Sequence, residues 1–279
     1  MWFIAISPLV VVGIILALVS AGIFGALPKV DELLNPKNNL ATLVYSGDRK
    51  IIGKYYNENR VNIKFSQIDK DMINALIATE DARFFEHNGV DIKALARSMS
   101  GIFSGGSKGG GSTITQQLAK MMFPREKLNK IQLISRKIKE WIIATRLEKL
   151  YTKEEILALY LNKYDFLNLA VGVKSAAQIY FNTSQDSLKI EQAAMLVGMA
   201  KNSALFNPIR HPDTTFHRRN VVLAQMVKYG YLQKEKFDSL KKLPLGLSFH
   251  PESHNEGLAT YFREYLRENF MDNWWLIPN

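Results

Sequence analysis

The chain has 279 residues, 47% apolar and 22% charged, and contains no cysteine. That apolar share excludes a mainly disordered chain, and the absence of cysteine excludes disulfides, thiolate zinc sites and a cysteine nucleophile. With 36 Lys and Arg against 26 Asp and Glu, the net charge of +10 favours anionic partners.

Residues 1–27 carry no charged side chain. The run from Trp2 to Leu27 is long enough to cross a bilayer core of roughly 30 Å as a helix. It has no charged start and exceeds a usual signal-peptide core of about 7–15 residues. It therefore reads as a retained single-pass anchor. Residues 28–65 read as a polar juxtamembrane connector. Within it, Thr42–Tyr45 and Lys50–Tyr56 look like strands of a hairpin joined through Ser-Gly-Asp.

From Ser66 the pattern turns helical, and residues 66–235 read as the main domain. Ser66 and Asp69 resemble a capping box. Met72, Ile73, Leu76 and Ile77 then form an apolar stripe. Asp69-Lys70-Asp71 formally matches an Asp-x-Asp metal pattern, but at a helix start it reads as capping. Residues 104–111 (SGGSKGGG) form a glycine-rich loop. Further helices are predicted at about 127–150, 152–162, 172–181, 189–201 and 214–229. Residues 236–279 read as a linker-like tail.

Three clusters carry residues suited to chemistry. In ALIATEDARFFEHNG, Glu80 and Asp81 close an apolar helix. Partial burial there favours a carboxylate that acts as a base. Phe84 and Phe85 read as core, His87 as a packing or hydrogen-bonding group, and Gly89 as a turn. In GGGSTITQQLAK, Ser112 and Thr113 are good N-cap types, and the backbone N–H groups make an anion site. Gln116, Gln117 and Lys120 follow on the helix. No Gly-Lys-Ser/Thr closes the loop, so it is not a Walker A loop. In RKIKEWIIATRLEKLYTKEEILALYLN, Ile131, Ile134, Ile138, Trp141 and Ile142 form a stripe. Arg136, Lys137 and Glu140 share another face. Two cations beside a carboxylate suit a phosphate ligand. Ile102, Phe103, Met121, Met122 and Phe123 flank the loop, either as core or as a surface dipping into lipid.

Together with HRRNVVL (217–223), these clusters in this order resemble the peptidoglycan glycosyltransferases of family 51. These are the polymerase domains of class A penicillin-binding proteins and of monofunctional transglycosylases. The resemblance spans about residues 40–230. It implies a mainly α, lysozyme-like fold with a small membrane-facing jaw lobe. It implies polymerisation of lipid II, with inversion, on the outer face of the cytoplasmic membrane. Glu80 would be the general base and Glu140 a second carboxylate near the donor pyrophosphate. Ser112, Thr113, Gln116, Gln117, Lys120, Arg125, Arg136 and Lys137 would bind substrate. The resemblance makes no cofactor certain; a divalent ion, Mg2+ or Mn2+, is a candidate near Glu140. The implied partners are lipid II, the growing glycan chain, membrane lipid, moenomycin-type inhibitors and other cell-wall synthesis proteins. Nucleic acid is not among them, since no helix-turn-helix, zinc or aromatic-basic signature occurs.

The sequence departs from the family at Met121, where Asn is frequent. It also has Phe166-Leu167 where Phe-Gly is frequent, which predicts an altered turn. No Ser-x-x-Lys and Lys-Thr-Gly pair accompanies these motifs, so no transpeptidase activity is expected. Residues 258–268 (LATYFREYLRE) look like the segment leading into such a domain, so the chain reads as a piece of a class A protein. A glycan-cleaving lysozyme-like enzyme is the alternative. The cations around Glu140 favour a pyrophosphate leaving group over a sugar.

Overall fold

The computed structural model describes residues 27–28, 33, 42–45, 47–48, 51–55, 62–103, 110–122, 130–251 and 265. The expected anchor over 1–27, apart from Leu27, lies outside these residues, as does most of the tail beyond 251. Among the described residues, no helix is long and apolar enough to cross a membrane.

The architecture is mainly helical. An antiparallel hairpin comes first, β1 (Thr42–Tyr45) against β2 (Ile51–Tyr55), pairing Thr42 with Tyr55 and Leu43 with Lys54. This matches the sequence reading to within a residue. Helix α1 (Lys70–Glu80) starts at Asp69, whose carboxylate accepts from Asp71 N at 2.8 Å and Met72 N at 3.2 Å. Asp69 alone is the cap. Ser66 sits one turn earlier, in a short 3-10 helix, Phe65–Gln67, which corrects the predicted capping box. The buried face of α1 comprises Met72, Ile73, Ala75, Leu76, Ile77 and Ala78.

Helices α2 (Ile92–Phe103), α3 (Ile114–Met122) and α4 (Lys130–Leu150) follow. Next come α5 (Lys153–Lys163), α6 (Val173–Phe181), α7 (Ile190–Met199) and α8 (Pro212–Lys228). A short α9 (Lys234–Leu240), not predicted from sequence, crosses the expected boundary at 235/236 between domain and tail. Two packed groups build the core. α1 lies against α7 and α8, while α3 lies against α4 and α5. Thr152 and Glu155 form a reciprocal capping box that starts α5. Asn162 at the end of α5 exchanges two hydrogen bonds with the backbone of Ile63, at 2.8 and 3.0 Å. That pair ties the segment preceding α1 to the second group.

Several predicted core positions need correction or restriction. Phe84 is fully buried, but Phe85 is 58% exposed and only edges onto the Phe84 ring. On α4 the buried positions include Ile138, Ile143, Ala144 and Leu147, while Trp141 and Ile142 are half-buried. The side chains of Ile131, Ile134, Ile102 and Phe103, and all of Phe123, lie outside the described residues. Met121 and Met122 are half-buried and pack on the core.

The segment between α5 and α6 is unusual. Leu167, Asn168 and Leu169 take φ of 63°, 52° and 65°, three successive left-handed residues without a glycine. Left-handed backbone costs a branched residue on the order of 1–2 kcal/mol. The Phe166-Leu167 pair lies at the start of this segment. The surroundings hold it in place. Tyr180 OH donates to Phe166 O at 2.7 Å and accepts from Asn168 Nδ2 at 2.9 Å. Burial pushes the Tyr180 hydroxyl up to about 12, so it stays protonated and able to donate. Gly172, with φ of 82°, then starts α6, where a Cβ would meet Asn162 O at 2.8 Å.

Beyond α9 the chain stays on the domain. Ser248 N and His250 N donate to Tyr180 O and Ile179 O, and Phe249 lies against the Tyr180 ring. Arg219, fully buried, reaches Pro244 O at 2.8 Å and sits over the Phe216 ring.

Candidate active site

Glu80 and Asp81 are consecutive, but they face different neighbours. Asp81 is buried and accepts from Ile114 N at 3.1 Å, at the start of α3. It also pairs with His87 Nε2 at 3.0 Å. A carboxylate at a helix N-terminus satisfies an orphan N–H and the helix dipole. The anion site predicted at this helix start thus holds the chain's own Asp81. His87 is a hydrogen-bonding residue here, as its sequence context indicated.

The loop after His87 closes on α3 and α4. Gly89, with φ of 89°, lies so near α4 that a Cβ would stand 2.8 Å from the Ala144 carbonyl. Its own carbonyl accepts from Thr113 Oγ1 at 2.7 Å and Gln116 Nε2 at 3.1 Å. Thr113 Oγ1 also accepts from Gln116 N at 3.2 Å, the predicted N-cap bond. Beneath this, Glu148 accepts from Thr115 Oγ1 at 2.6 Å and from Lys153 Nζ at 2.9 Å. Lys153 also donates to His87 O and sits over the Phe84 ring. These buried bonds fix α3 against α4.

That placement opens a cleft of about 270 Å³ between α3 and α4. Its lining is Ser112, Gln116, Gln117, Lys120, Leu133, Arg136, Lys137 and Glu140. Seven of the ten site residues predicted from sequence therefore meet in one cavity. Lys137 is its hub. Its ammonium donates to Ser112 Oγ at 2.8 Å, Gln116 Oε1 at 3.0 Å and Glu140 Oε2 at 2.9 Å. Arg136 Nε stands 3.8 Å from the other Glu140 oxygen.

Glu80 stands beside this cleft rather than in its lining. Its Oε2 accepts from Gln117 Nε2 at 2.9 Å, and Gln117 Oε1 accepts from Tyr160 OH at 3.0 Å. Its Oε1 lies 3.5 Å from Arg218 Nη2, with both side chains largely buried. Burial, with Glu80 as a nearby charge, raises the Tyr160 hydroxyl well above its ordinary value. It therefore acts as a donor and orients the Gln117 amide. Thr113 does not line the cleft, since its hydroxyl is engaged in capping. Arg125 lies outside the described residues.

The donor set at Glu140 does not fit a divalent ion. One carboxylate is already engaged by two cations, and among the described residues no group of three or more His, Asp or Glu could hold a metal.

Sequence reasoning did not single out Arg218, Tyr160, Glu148 or Lys153 individually. Arg218 belongs to the Arg-Arg pair of HRRNVVL, and that pair was the available signal. The pair divides its work: Arg219 enters the core, whereas Arg218 reaches Glu80.

The chain is similar to several known proteins. A transglycosylase family profile matches residues 48–227. Penicillin-binding protein 1A of Escherichia coli (strain K12) is 38% identical over 250 residues, covering 89% of this chain and 29% of that protein. Penicillin-binding protein 1F of Bacillus subtilis (strain 168) is 35% identical over 218 residues, covering 78% of this chain and 30% of that protein. The crystal structure of penicillin-binding protein 1A from Haemophilus influenzae aligns with 85% of this chain and 25% of its own, at a TM-score of 0.48 and 23% identity. The chain thus spans about three tenths of the length of the curated relatives it matches. With its matched region covering well over half of its residues, the chain belongs to the transglycosylase family.

Proposed function

We propose that this domain polymerises lipid II into β-1,4-linked glycan strands at the outer face of the cytoplasmic membrane. The observation that carries the reading is the Lys137 hub. It joins Ser112 and Gln116 of one side of the cleft to Glu140 of the other, with Glu80 one side chain away through Gln117.

The chemistry follows from these positions. A sugar hydroxyl is a poor nucleophile until a base takes its proton. Glu80 accepts the proton of the acceptor 4-hydroxyl. The freed oxygen forms a bond to the donor's anomeric carbon, and the bond from that carbon to the pyrophosphate breaks with inversion. The electron pair leaves on the pyrophosphate. Cations fixed in advance stabilise that developing charge, and Lys137, Arg136 and Lys120 line the cleft where it would form. Glu140 holds Lys137 and Arg136 in place, and Glu80 returns its proton to solvent after transfer. Ser112, Gln116 and Gln117 supply hydrogen bonds to the substrate. The uncharged residues 1–27 serve as the membrane anchor, which places the cleft where a lipid-linked donor can reach it.

The test incubates the purified chain with labelled lipid II and, separately, with preformed glycan strands. Polymer from lipid II, blocked by moenomycin, supports the reading. Cleavage of the preformed strands without any polymer contradicts it and favours a lytic enzyme.

A further inference from the structure

We propose that Arg218 is a positioning residue for glycosyl transfer, serving as the charged partner that aims the Glu80 carboxylate. The inference rests on the reading of Glu80 as the base.

A carboxylate removed from water needs an ion pair or hydrogen bonds at its oxygens. The Glu80 side chain is 13% exposed and that of Arg218 12%, so solvent supplies little of that stabilisation. The two Glu80 oxygens are held from different helices. Gln117 of α3 donates to Oε2, and the Arg218 guanidinium of α8 faces Oε1 at 3.5 Å. Held at both oxygens, the carboxylate has little freedom to rotate. A base with a fixed lone pair needs no reorganisation when the acceptor arrives.

Arg218 is itself braced. Its Nε donates to Gly198 O at 3.3 Å, and its guanidinium lies 5.6 Å over the Phe206 ring. Gly198 makes that position accessible, because a Cβ there would stand 3.1 Å from Arg218 Cγ. Burial draws the Arg218 guanidinium down from its ordinary value, and the Glu80 charge opposes this. The Glu80 charge therefore supports the charge on Arg218. Arg218 is not part of the cleft lining that carries Lys120, Arg136 and Lys137. Its position is that of a partner to the base, apart from the cations that would meet a leaving pyrophosphate.

Steady-state polymerisation of labelled lipid II separates these roles. In Arg218→Met, kcat falls by about a hundredfold while KM stays within about twofold. Arg218→Lys, which keeps the charge but loses the fork, recovers part of kcat. Added methylguanidinium restores part of the Arg218→Met loss. Unchanged kcat in Arg218→Met overturns the proposal. A loss carried by KM also overturns it, since Arg218 would then be a substrate-binding cation. Should Arg218→Met fail to fold, Arg218→Lys decides alone. A lowered kcat with KM held supports the role, and any other result overturns it. Absence of polymer from the wild-type chain sinks the reading of Glu80 itself, an outcome distinct from a failure of Arg218.

Discussion

Replacing Lys137 by methionine removes one ammonium group from three partners at once: Ser112, Gln116 and Glu140. Deleting one member of a fully buried ion pair costs about 3–5 kcal/mol. Here the Lys137 side chain is 36% exposed and that of Glu140 10%, so solvent screens part of the attraction. Arg136 Nε also remains 3.8 Å from Glu140. An exposed pair contributes at most about 1 kcal/mol. The cost of Lys137→Met therefore falls between these limits, at about 2 kcal/mol. In a domain of about 200 residues this lowers Tm by about 4–8 °C. The same change frees the cleft side of α3 from α4 and removes a cation meant for the leaving group. Thermal unfolding of both proteins, followed by lipid II turnover well below the melting range, reads the two effects separately. Turnover falls by more than about tenfold, and Lys137→Arg retains part of it. Unchanged Tm together with unchanged turnover in Lys137→Met would refute the hub role.

Three further outcomes are expected. Burial pushes the Asp91 carboxyl up, but the Ala94 N–H and the Arg83 guanidinium outweigh it, and the net direction is down. Its stabilisation is thus present at neutral pH and lost as acid protonates it below the ordinary carboxylate range. Asp91→Asn costs about 2 kcal/mol at neutral pH, and the gap to wild type narrows on acidification in denaturant titrations. Thr79 Oγ1 is buried with no hydrogen-bond partner among the described residues, so Thr79→Val is neutral or stabilising by up to about 1 kcal/mol in thermal unfolding. Arg219→Met strips Pro244 O and the Phe216 ring of their partner. It costs about 2–4 kcal/mol and speeds proteolysis between residues 241 and 251, while KM for lipid II holds.

The helices were legible because their apolar residues recur at helical spacing, and α4 to α8 begin and end within a few residues of the sequence reading. α9 was missed because Lys234–Leu240 is short, charged and without a buried face. Phe85 was misplaced because adjacent aromatics on a single 3-10 turn cannot both face the core. Cleft residues on α3 and α4 could be named because each helix groups its own polar residues on one face. Their distance from Glu80 could not be read, since it depends on how α1, α3 and α8 cross. Arg218 and Arg219 show the same limit. Neighbours on a helix point about 100° apart, and nothing in the sequence says which one enters the core.

The most direct test of the account is the rate of lipid II polymerisation by Glu80→Gln. Glutamine keeps the shape of the side chain and its hydrogen bond to Gln117 but cannot take a proton. A loss of about a hundredfold or more in kcat is expected well below the melting range, with Tm lowered because Arg218 loses its buried partner. A Glu80→Gln protein that polymerises at the wild-type rate would contradict the account.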